Sequence, residues 1–156
     1  MEIDFNTIRN NISKTAYHII GRGTGRTVFD LENGYVVKAA KNRKGIEQNK
    51  EEYRISNLDK NNVFAQAIAL SDDYMYLIMV KAQPIKSFSV VWNYYQVKNN
   101  RQLFALEAFN KFLPLYDLLP GDLHRISSWG VVEERPVIVD YGFTRGVRKF
   151  YNIFRI

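Results

Sequence analysis

Two aspartates, Asp122 and Asp140, each follow an apolar run and open a short polar turn. Residues 129–132 and 137–139 between them predict two short strands, and residues 133–136 predict the joining turn, because proline suits a turn or a strand edge. Such a hairpin would bring Asp122 and Asp140 to the same end of a small sheet. Two carboxylates held there can coordinate Mg²⁺ and accept a proton from a hydroxyl, as phosphoryl transfer requires. The alternative is a pair of ordinary turn aspartates, since short motifs are weak evidence.

Three glycines, Gly21, Gly23 and Gly25, lie within five residues and follow a β-rich stretch at residues 17–20. A loop with so few side chains is flexible, and its backbone N–H groups can approach a phosphate closely. The same glycines are also typical of an ordinary tight hairpin, so taken alone they leave both interpretations open.

A lysine, Lys38, interrupts the otherwise apolar run YVVKAA, which predicts a strand over residues 35–40. Residues 27–31 predict the strand before it, and residues 32–34 predict the hairpin turn, because Asn-Gly accepts positive φ. A lone lysine among valines and alanines favours a side chain held for an anion. The alternative is an edge-strand lysine that reaches solvent.

The remaining elements are predicted from periodicity and from breaks in it. A helix over residues 45–58 is polar on most faces, and its glutamates are either partners of Lys38 or parts of a solvated surface. The candidate partners are Glu47, Glu51 and Glu52, and the main apolar residues of this helix are Ile46, Tyr53 and Ile55. The other expectations are a short amphipathic helix capped by Asp4, strands at 63–70 and 74–80, a linker at 81–84, two helices within 87–116 broken near Asn99-Asn100, and a basic, aromatic closing helix within 145–154.

The composition is that of a globular protein, since the 156 residues are 46% hydrophobic and 14% aromatic. The lack of cysteine excludes disulfides and thiolate metal sites, and two histidines argue against a His-rich zinc site. No apolar run approaches the roughly 20 residues of a membrane span, and the N-terminus lacks the layout of a signal peptide. We therefore expect a cytoplasmic protein without a membrane partner.

The net charge of +6 and the pI near 9.5 favour anionic partners, namely nucleotides, phosphorylated substrates or nucleic acid. The alternative is plain solubility, because the charge is spread along the chain. A nucleic-acid surface is the less favoured interpretation and depends on a C-terminal tail with Arg145, Arg148, Lys149 and Tyr151.

Taken in order, these motifs resemble the protein-kinase-like fold in a much shortened form. GRGTGRTVF resembles its glycine-rich loop, VVK its strand-three lysine, and VIVDYG its Asp-Phe-Gly metal motif with Tyr141 in place of Phe. GDLHRISSWG resembles the catalytic loop in the Gly-Asp form of aminoglycoside and choline kinases. The same strings are similar to small kinase-like proteins encoded in bacteriophage and bacterial genomes.

The resemblance implies an α+β, two-lobed fold in a single domain. The first lobe, about residues 1–80, would hold a five-stranded antiparallel sheet with one internal helix, and the hinge would lie at about 81–85. The reduced second lobe, about residues 86–156, would be mainly helical and carry the catalytic β-hairpin.

The resemblance also implies a role for each motif residue, with ATP and Mg²⁺ as cofactors. Backbone amides around Gly21, Gly23 and Gly25 would cover the triphosphate, and Met79 to Ala82 would be the hinge against which adenine lies. Lys38 would bind the α- and β-phosphates and be steadied by Glu52, with Glu51 as second choice. Asp122 would accept the substrate proton, and Asp140 would hold Mg²⁺. The second metal ligand would be Ser127, with Ser128 as its neighbour, where the family has asparagine.

Three departures from the family pattern shape the functional expectation. The third glycine of the loop falls at Arg26, Pro120 stands in place of the catalytic-loop histidine, and only 16 residues follow Asp140. We therefore expect no peptide-binding surface, and we expect the acceptor to be a small molecule, the protein itself or a docked partner. The leading hypothesis is a phosphotransferase, and the second is a pseudokinase that serves as a binding module.

Overall fold

The computed structural model describes residues 2–148. The chain forms two compact units. The first runs to Asn57 and resumes at Gln66–Lys81, and the second holds Leu58–Ala65 and continues from Ala82. Residues 58–65, which the sequence-based division assigned to the first lobe, thus group with the second unit.

The first unit contains the antiparallel sheet, with five strands in the order β1-β2-β3-β5-β4 within the described residues. The strands are β1 (His18–Arg22), β2 (Arg26–Asp30), β3 (Tyr35–Ala40), β4 (Ala67–Leu70) and β5 (Tyr76–Val80). Strand β3 is central in the sheet, and its residues 36–40 are all buried, so both of its faces are covered. The predicted five-stranded antiparallel sheet is confirmed, with strand β3 at the predicted residues.

The strand prediction at residues 63–70 was wrong in its first half, since β4 begins only at Ala67. Residues 63–65 instead flank the last strand of the second unit. There the Ile138 N–H donates to the Val63 carbonyl, and the Ala65 N–H donates to the Ile138 carbonyl. Residues 63–65 thus form a short parallel pairing in place of the predicted first half of the antiparallel strand.

Helix α1 (Phe5–Ser13) covers one face of the first sheet. The Asp4 carboxylate caps it by accepting from the N–H groups of Asn6 and Thr7, as predicted. A hydrogen bond from the Thr7 hydroxyl is the main reason why the pKa of Asp4 lies below its usual value. Ile8 of this helix joins a buried apolar cluster with Phe29, Val37, Ala39, Tyr76 and Ile78.

Helix α2 (Arg43–Leu58) buries a face that its sequence did not predict. The buried positions are Gly45, Asn49, Glu52 and Ile55, spaced by three or four residues, and two of these side chains are polar. Of the three main apolar residues named from the sequence, Ile55 is buried, but Ile46 and Tyr53 are only partly buried. The hydrophobic pattern failed here because buried hydrogen-bonding groups occupy the inner face.

The second unit carries more helices than expected, namely α3 (Ser89–Tyr95), α4 (Asn100–Ala105), α5 (Glu107–Leu115) and α6 (Pro120–Leu123). The predicted break at Asn99-Asn100 is confirmed, since the Asn99 side chain caps α4 by accepting from the Gln102 N–H. The prediction of two helices was wrong because Leu106 is extended, with ψ at 141°, and separates α4 from α5.

The sheet of the second unit has the order β6-β7-β8, formed by β6 (Gln83–Pro84), β7 (Trp129–Val132) and β8 (Arg135–Ile138). The predicted hairpin is present, but its turn is shorter than residues 133–136. Glu133 and Glu134 form it with φ at 48° and 65°, the left-handed values of a two-residue hairpin. The predicted linker is in part strand β6.

Within residues 2–148, no helix is both long enough and apolar enough to cross a membrane. Residues 145–148 are helical, in agreement with the start of the expected closing helix. The rest of that prediction, including Lys149 and Tyr151 of the basic tail, lies outside the described residues.

Candidate functional site

Lys38 lies on the central strand β3 and is 5% exposed. Its ammonium nitrogen is 2.6 Å from Oε1 and 2.9 Å from Oε2 of Glu52, a fully buried residue of α2. A buried charge is costly unless a partner of opposite charge satisfies it. Lys38 is therefore an interior cation held by a carboxylate, and not a lysine that reaches solvent.

The neighbouring glutamates have other partners. Glu51 accepts from Arg54 at 2.9 Å, and Glu47 lies 3.6 Å from Lys50, both as half-exposed pairs on the surface of α2. The choice left open by the sequence, Glu51 or Glu52, is thus resolved in favour of Glu52 as the side chain that pairs with Lys38.

A second cation, Arg26, reaches the same carboxylate, and sequence reasoning had noted this residue only as a departure from the glycine pattern. One guanidinium nitrogen is 2.7 Å from Glu52 Oε1, and the other donates to Asn49 Oδ1 at 3.1 Å. Arg26 begins β2 and pairs with Ala40, two residues from Lys38, so both cations lie on the same face of the sheet.

Asn49 was the other residue that the sequence analysis missed. Its amide nitrogen donates to the carbonyl of Tyr74 at 2.9 Å and approaches the carbonyl of Lys38 at 3.4 Å. This fully buried amide therefore connects β2, β3, α2 and the turn before β5. The usable signal was the spacing of Asn49 and Glu52, which places both on one face of a helix.

The glycine-rich segment is a fastened hairpin and not the flexible loop that we expected. Gly21 belongs to strand β1, and the Gly23 N–H donates to the Arg26 carbonyl at 2.8 Å within the hairpin. Gly25 packs against Gly45 of α2 so closely that a Cβ atom on Gly45 would overlap the Gly25 carbonyl, and a Cβ atom on Gly25 would overlap the side chain of Gln48.

Side chains that precede or begin α2 hold the tip of this hairpin. Lys41 donates to the Gly23 carbonyl at 2.8 Å, Asn42 to the Thr24 carbonyl at 2.9 Å, and Lys44 to the Thr24 hydroxyl at 2.6 Å. The glycines thus serve close packing first, and their predicted role in covering a triphosphate remains a prediction.

The predicted hinge residues lie at the end of the first unit and the start of the second. Met79 is a buried residue of β5 that pairs with Val36, and Ala82 is partly exposed. Between them, Lys81 forms a 2.6 Å ion pair with Asp30, and a hydrogen bond from Lys81 is the main cause that lowers the pKa of that carboxyl. Contact of Met79 or Ala82 with adenine stays a prediction.

The sequence had suggested that Asp122 opens a tight turn, but the structure shows otherwise. Asp122 lies in the four-residue helix α6, because Pro120 occupies the first helical position, where its missing N–H is no loss. The Asp122 side chain is 28% exposed, and one of its oxygens is 3.8 Å from the guanidinium of Arg125. A carboxylate so placed is open to solvent and can accept a proton.

Ser128 forms hydrogen bonds with the segments that carry Asp122 and Asp140 in the second unit. Its buried hydroxyl donates to the Asp122 carbonyl at 2.6 Å, and its own carbonyl accepts from the Val139 N–H at 2.7 Å. The position of α6 and the end of β8 are therefore set by one residue. Because Ser128 is buried and Ser127 is exposed, Ser128 is a weaker metal-ligand candidate than Ser127.

Asp140 follows β8 and is exposed. Trp129 pairs with Ile138 in the hairpin, and the bond from Val139 to Ser128 continues this register. Ser127 is exposed and lies in the short 3₁₀ helix Ile126–Ser128, directly before β7. Both predicted metal ligands are thus oxygen-bearing residues at one end of the hairpin.

Across the described range 2–148, no group of three or more His, Cys, Asp or Glu side chains could hold a metal ion. Mg²⁺ is commonly held by one or two carboxylates together with substrate phosphates and water. Asp140 and Ser127 fit that type of site, in which a nucleotide would bring the remaining oxygens.

Tyr141 stands where the Asp-Phe-Gly motif, which VIVDYG resembles, has phenylalanine, and the structure shows what the Tyr141 hydroxyl does. The residue is buried, and its hydroxyl donates to the Ala65 carbonyl at 2.6 Å. The centroid of its ring lies 4.7 Å from the centroid of the Phe64 ring. The extra oxygen therefore anchors the segment after Asp140 to residues 64–65.

The chain matches no family model and no curated protein. Among solved structures it is similar to the ternary complex of APH(2")-IIa with streptomycin and ATP, with 13% identity over 91% of this chain and 71% of that chain, at a TM-score of 0.47. Identity and TM-score this low assign neither a family nor a function, so the proposals below depend on the residues of this chain.

Proposed function

We propose that this protein binds ATP together with Mg²⁺ and transfers a phosphoryl group to a hydroxyl of an acceptor. The observation that carries the proposal is the buried ion pair of Lys38 and Glu52, in which the ammonium nitrogen lies 2.6 Å from a carboxylate oxygen. Lys38 lies on the strand that follows the glycine hairpin. Lysine binds phosphate as a compact point charge. A protein gains little stability from burying such a charge with its partner, which favours a functional reason for it.

In this proposal the chain divides the chemistry between its residues. Lys38 binds the α- and β-phosphates, and Glu52 orients its ammonium group. Asp140 and Ser127 hold Mg²⁺, which neutralises charge on the phosphate oxygens when bound. Asp122, partly exposed on α6, accepts the proton of the attacking hydroxyl.

In this proposal the acceptor is a small molecule, a docked partner or the protein itself.

Transfer of label from γ-labelled ATP tests the reaction, with the protein alone and with small hydroxylated acceptors. The proposal expects Asp122→Asn to lower turnover by at least about a hundredfold, as for loss of a general base, while nucleotide still binds. Asp72→Asn is the matched control, because Asp72 is an exposed turn aspartate, and this variant should behave as the wild type. Equal turnover of the Asp122→Asn variant would contradict the proposed role.

A second candidate function is a pseudokinase that binds nucleotide without turnover. Serine occupies position 127, where the family pattern has asparagine, and a hydroxyl is a poorer Mg²⁺ ligand than an amide carbonyl. Saturable ATP binding with no transfer of label to any acceptor, in wild type and Asp122→Asn alike, would favour this candidate.

A further inference from the structure

The carboxylate that holds Lys38 is shared with a second cation. Arg26 approaches Glu52 Oε1 at 2.7 Å, and Lys38 approaches the same oxygen at 2.6 Å. A guanidinium group stays protonated at every pH at which a protein is folded. The three side chains together therefore carry two positive charges and one negative charge.

Both the side chain and the backbone of Arg26 are held in this position. Arg26 is 6% exposed, and its second nitrogen donates to Asn49, which the carbonyls of Tyr74 and Lys38 hold in turn. Its backbone begins β2 directly after Gly25, the residue that packs against Gly45 of α2.

We propose that Arg26 is a positioning residue of the phosphate site. It takes part of the Glu52 charge, so that the Lys38 ammonium keeps more of its field for an anion, and it ties the glycine hairpin to α2. The inference deepens the proposed function and rests on it, since the anion is the phosphate chain of the bound nucleotide.

Both effects act on the charged part of the ligand. In a site of low dielectric, a second cation beside the first strengthens the attraction for phosphate oxygens. Adenosine has no phosphate, so its affinity should not depend on the charge at position 26. The ratio of ATP affinity to adenosine affinity therefore separates an electrostatic role from loss of packing.

Calorimetric titration of ATP, ADP and adenosine, with Mg²⁺ present, tests the inference on the wild type, Arg26→Gln and Arg26→Lys. We expect Arg26→Gln to weaken ATP and ADP by at least about tenfold, the size of one charge-assisted hydrogen bond, and to leave adenosine unchanged. Arg26→Lys keeps the charge and should restore the affinity ratio to within about threefold of the wild type. Arg9→Gln is the control, because Arg9 is a half-exposed arginine paired with Asp73, and it should change none of the three affinities.

The outcomes that overturn the inference differ from the failure of the proposed function. If Arg26→Gln weakens adenosine as much as ATP, or leaves both unchanged, Arg26 has no role in phosphate binding. If Arg26→Gln does not fold, Arg26→Lys decides, because a tenfold fall in the affinity ratio there would exclude a role for the charge. If the wild type binds no nucleotide at all, the proposed function itself is wrong.

Discussion

The two units hold their candidate functional groups in opposite ways. In the first, Arg26, Lys38 and Glu52 are each at most 6% exposed and are joined by ion pairs. In the second, Asp140 is exposed and Asp122 partly so, and backbone bonds to Ser128 set the positions of their segments.

Under the proposed function each group has a different partner, which accounts for the difference. A buried cation that binds phosphate has to be paired within the protein at all times, because an unpaired buried charge would destabilise the fold. Carboxylates that bind a hydrated metal can stay in water. Changes in the first group should therefore affect stability and binding together, whereas changes in the second should separate them.

The largest effect is expected for Glu52→Gln, which leaves two buried cations facing a neutral amide. Breaking a buried ion pair from one side costs about 3–5 kcal/mol. Glu51→Gln is the matched control one residue away, and its half-exposed pair with Arg54 contributes about 0–1 kcal/mol. Urea unfolding of both variants measures the difference, and equal losses of stability would show that the buried cluster is not special.

Gly45→Ala should have the next largest effect, because the new methyl group would meet the Gly25 carbonyl. Overpacking of this kind costs about 1–3 kcal/mol, and displacement of the hairpin should also weaken ATP binding. In Gly121→Ala the Cβ has open space within a helix, so a small gain in stability of up to about 1 kcal/mol is expected. A Gly45→Ala variant as stable as the wild type would mean that the hairpin is not clamped to α2.

Adjacent serines test the same idea in the second unit. Ser128→Ala removes the donor to the Asp122 carbonyl and should cost about 1–2 kcal/mol in the free energy of unfolding. Ser127→Ala changes an exposed hydroxyl, so its stability should stay within about 0.5 kcal/mol of the wild type, while the Mg²⁺ dependence of ATP binding weakens. The reverse pattern would assign the metal to Ser128.

The smallest effect concerns acid stability and comes from Asp73. A hydrogen bond from the Ser71 hydroxyl is the largest cause that lowers the pKa of Asp73 below its usual 3.8, helped by the Met75 N–H and by Arg9. A carboxyl with a lowered pKa in the folded state adds stability that is present above pH 3.8 and is lost as the pH falls through the lowered value.

Asp73→Asn should therefore reduce the free energy of unfolding at pH 6 by less than about 1 kcal/mol, because the pair with Arg9 is half-exposed. The loss should shrink towards pH 2.5. Asp72→Asn serves as the exposed neighbouring control. A deficit of the Asp73 variant that grows with acidity would have the wrong sign for this account.

Regular elements were predictable from the sequence where local chemistry decides. The run YVVKAA predicted strand β3 at its observed residues, since an apolar stretch bounded by turns suits a strand covered on both faces. Asp4 predicted the start of α1, because a capping carboxylate is a local signal.

The site was predictable only in part, because its pairing depends on which faces meet. Position 52 was one of the glutamates named as a partner of Lys38, but Arg26 and Asn49 have no apolar signature, and periodicity cannot show that polar residues are buried. The split at Leu106 was missed for a similar reason, since one extended leucine in an apolar run carries no composition signal.

The central claim is that Lys38 and Asp140 serve a single ligand, ATP with Mg²⁺. The most direct measurement is the thermal midpoint of the wild type, Lys38→Met and Asp140→Ala, titrated with ATP, with Mg²⁺ and with both. Arg26 keeps Glu52 paired in the lysine variant, which should therefore fold. The account predicts that the wild type is stabilised most by ATP and Mg²⁺ together and that each variant loses this gain. A wild type with an unchanged midpoint, or an Asp140→Ala variant stabilised as fully as the wild type, would contradict it.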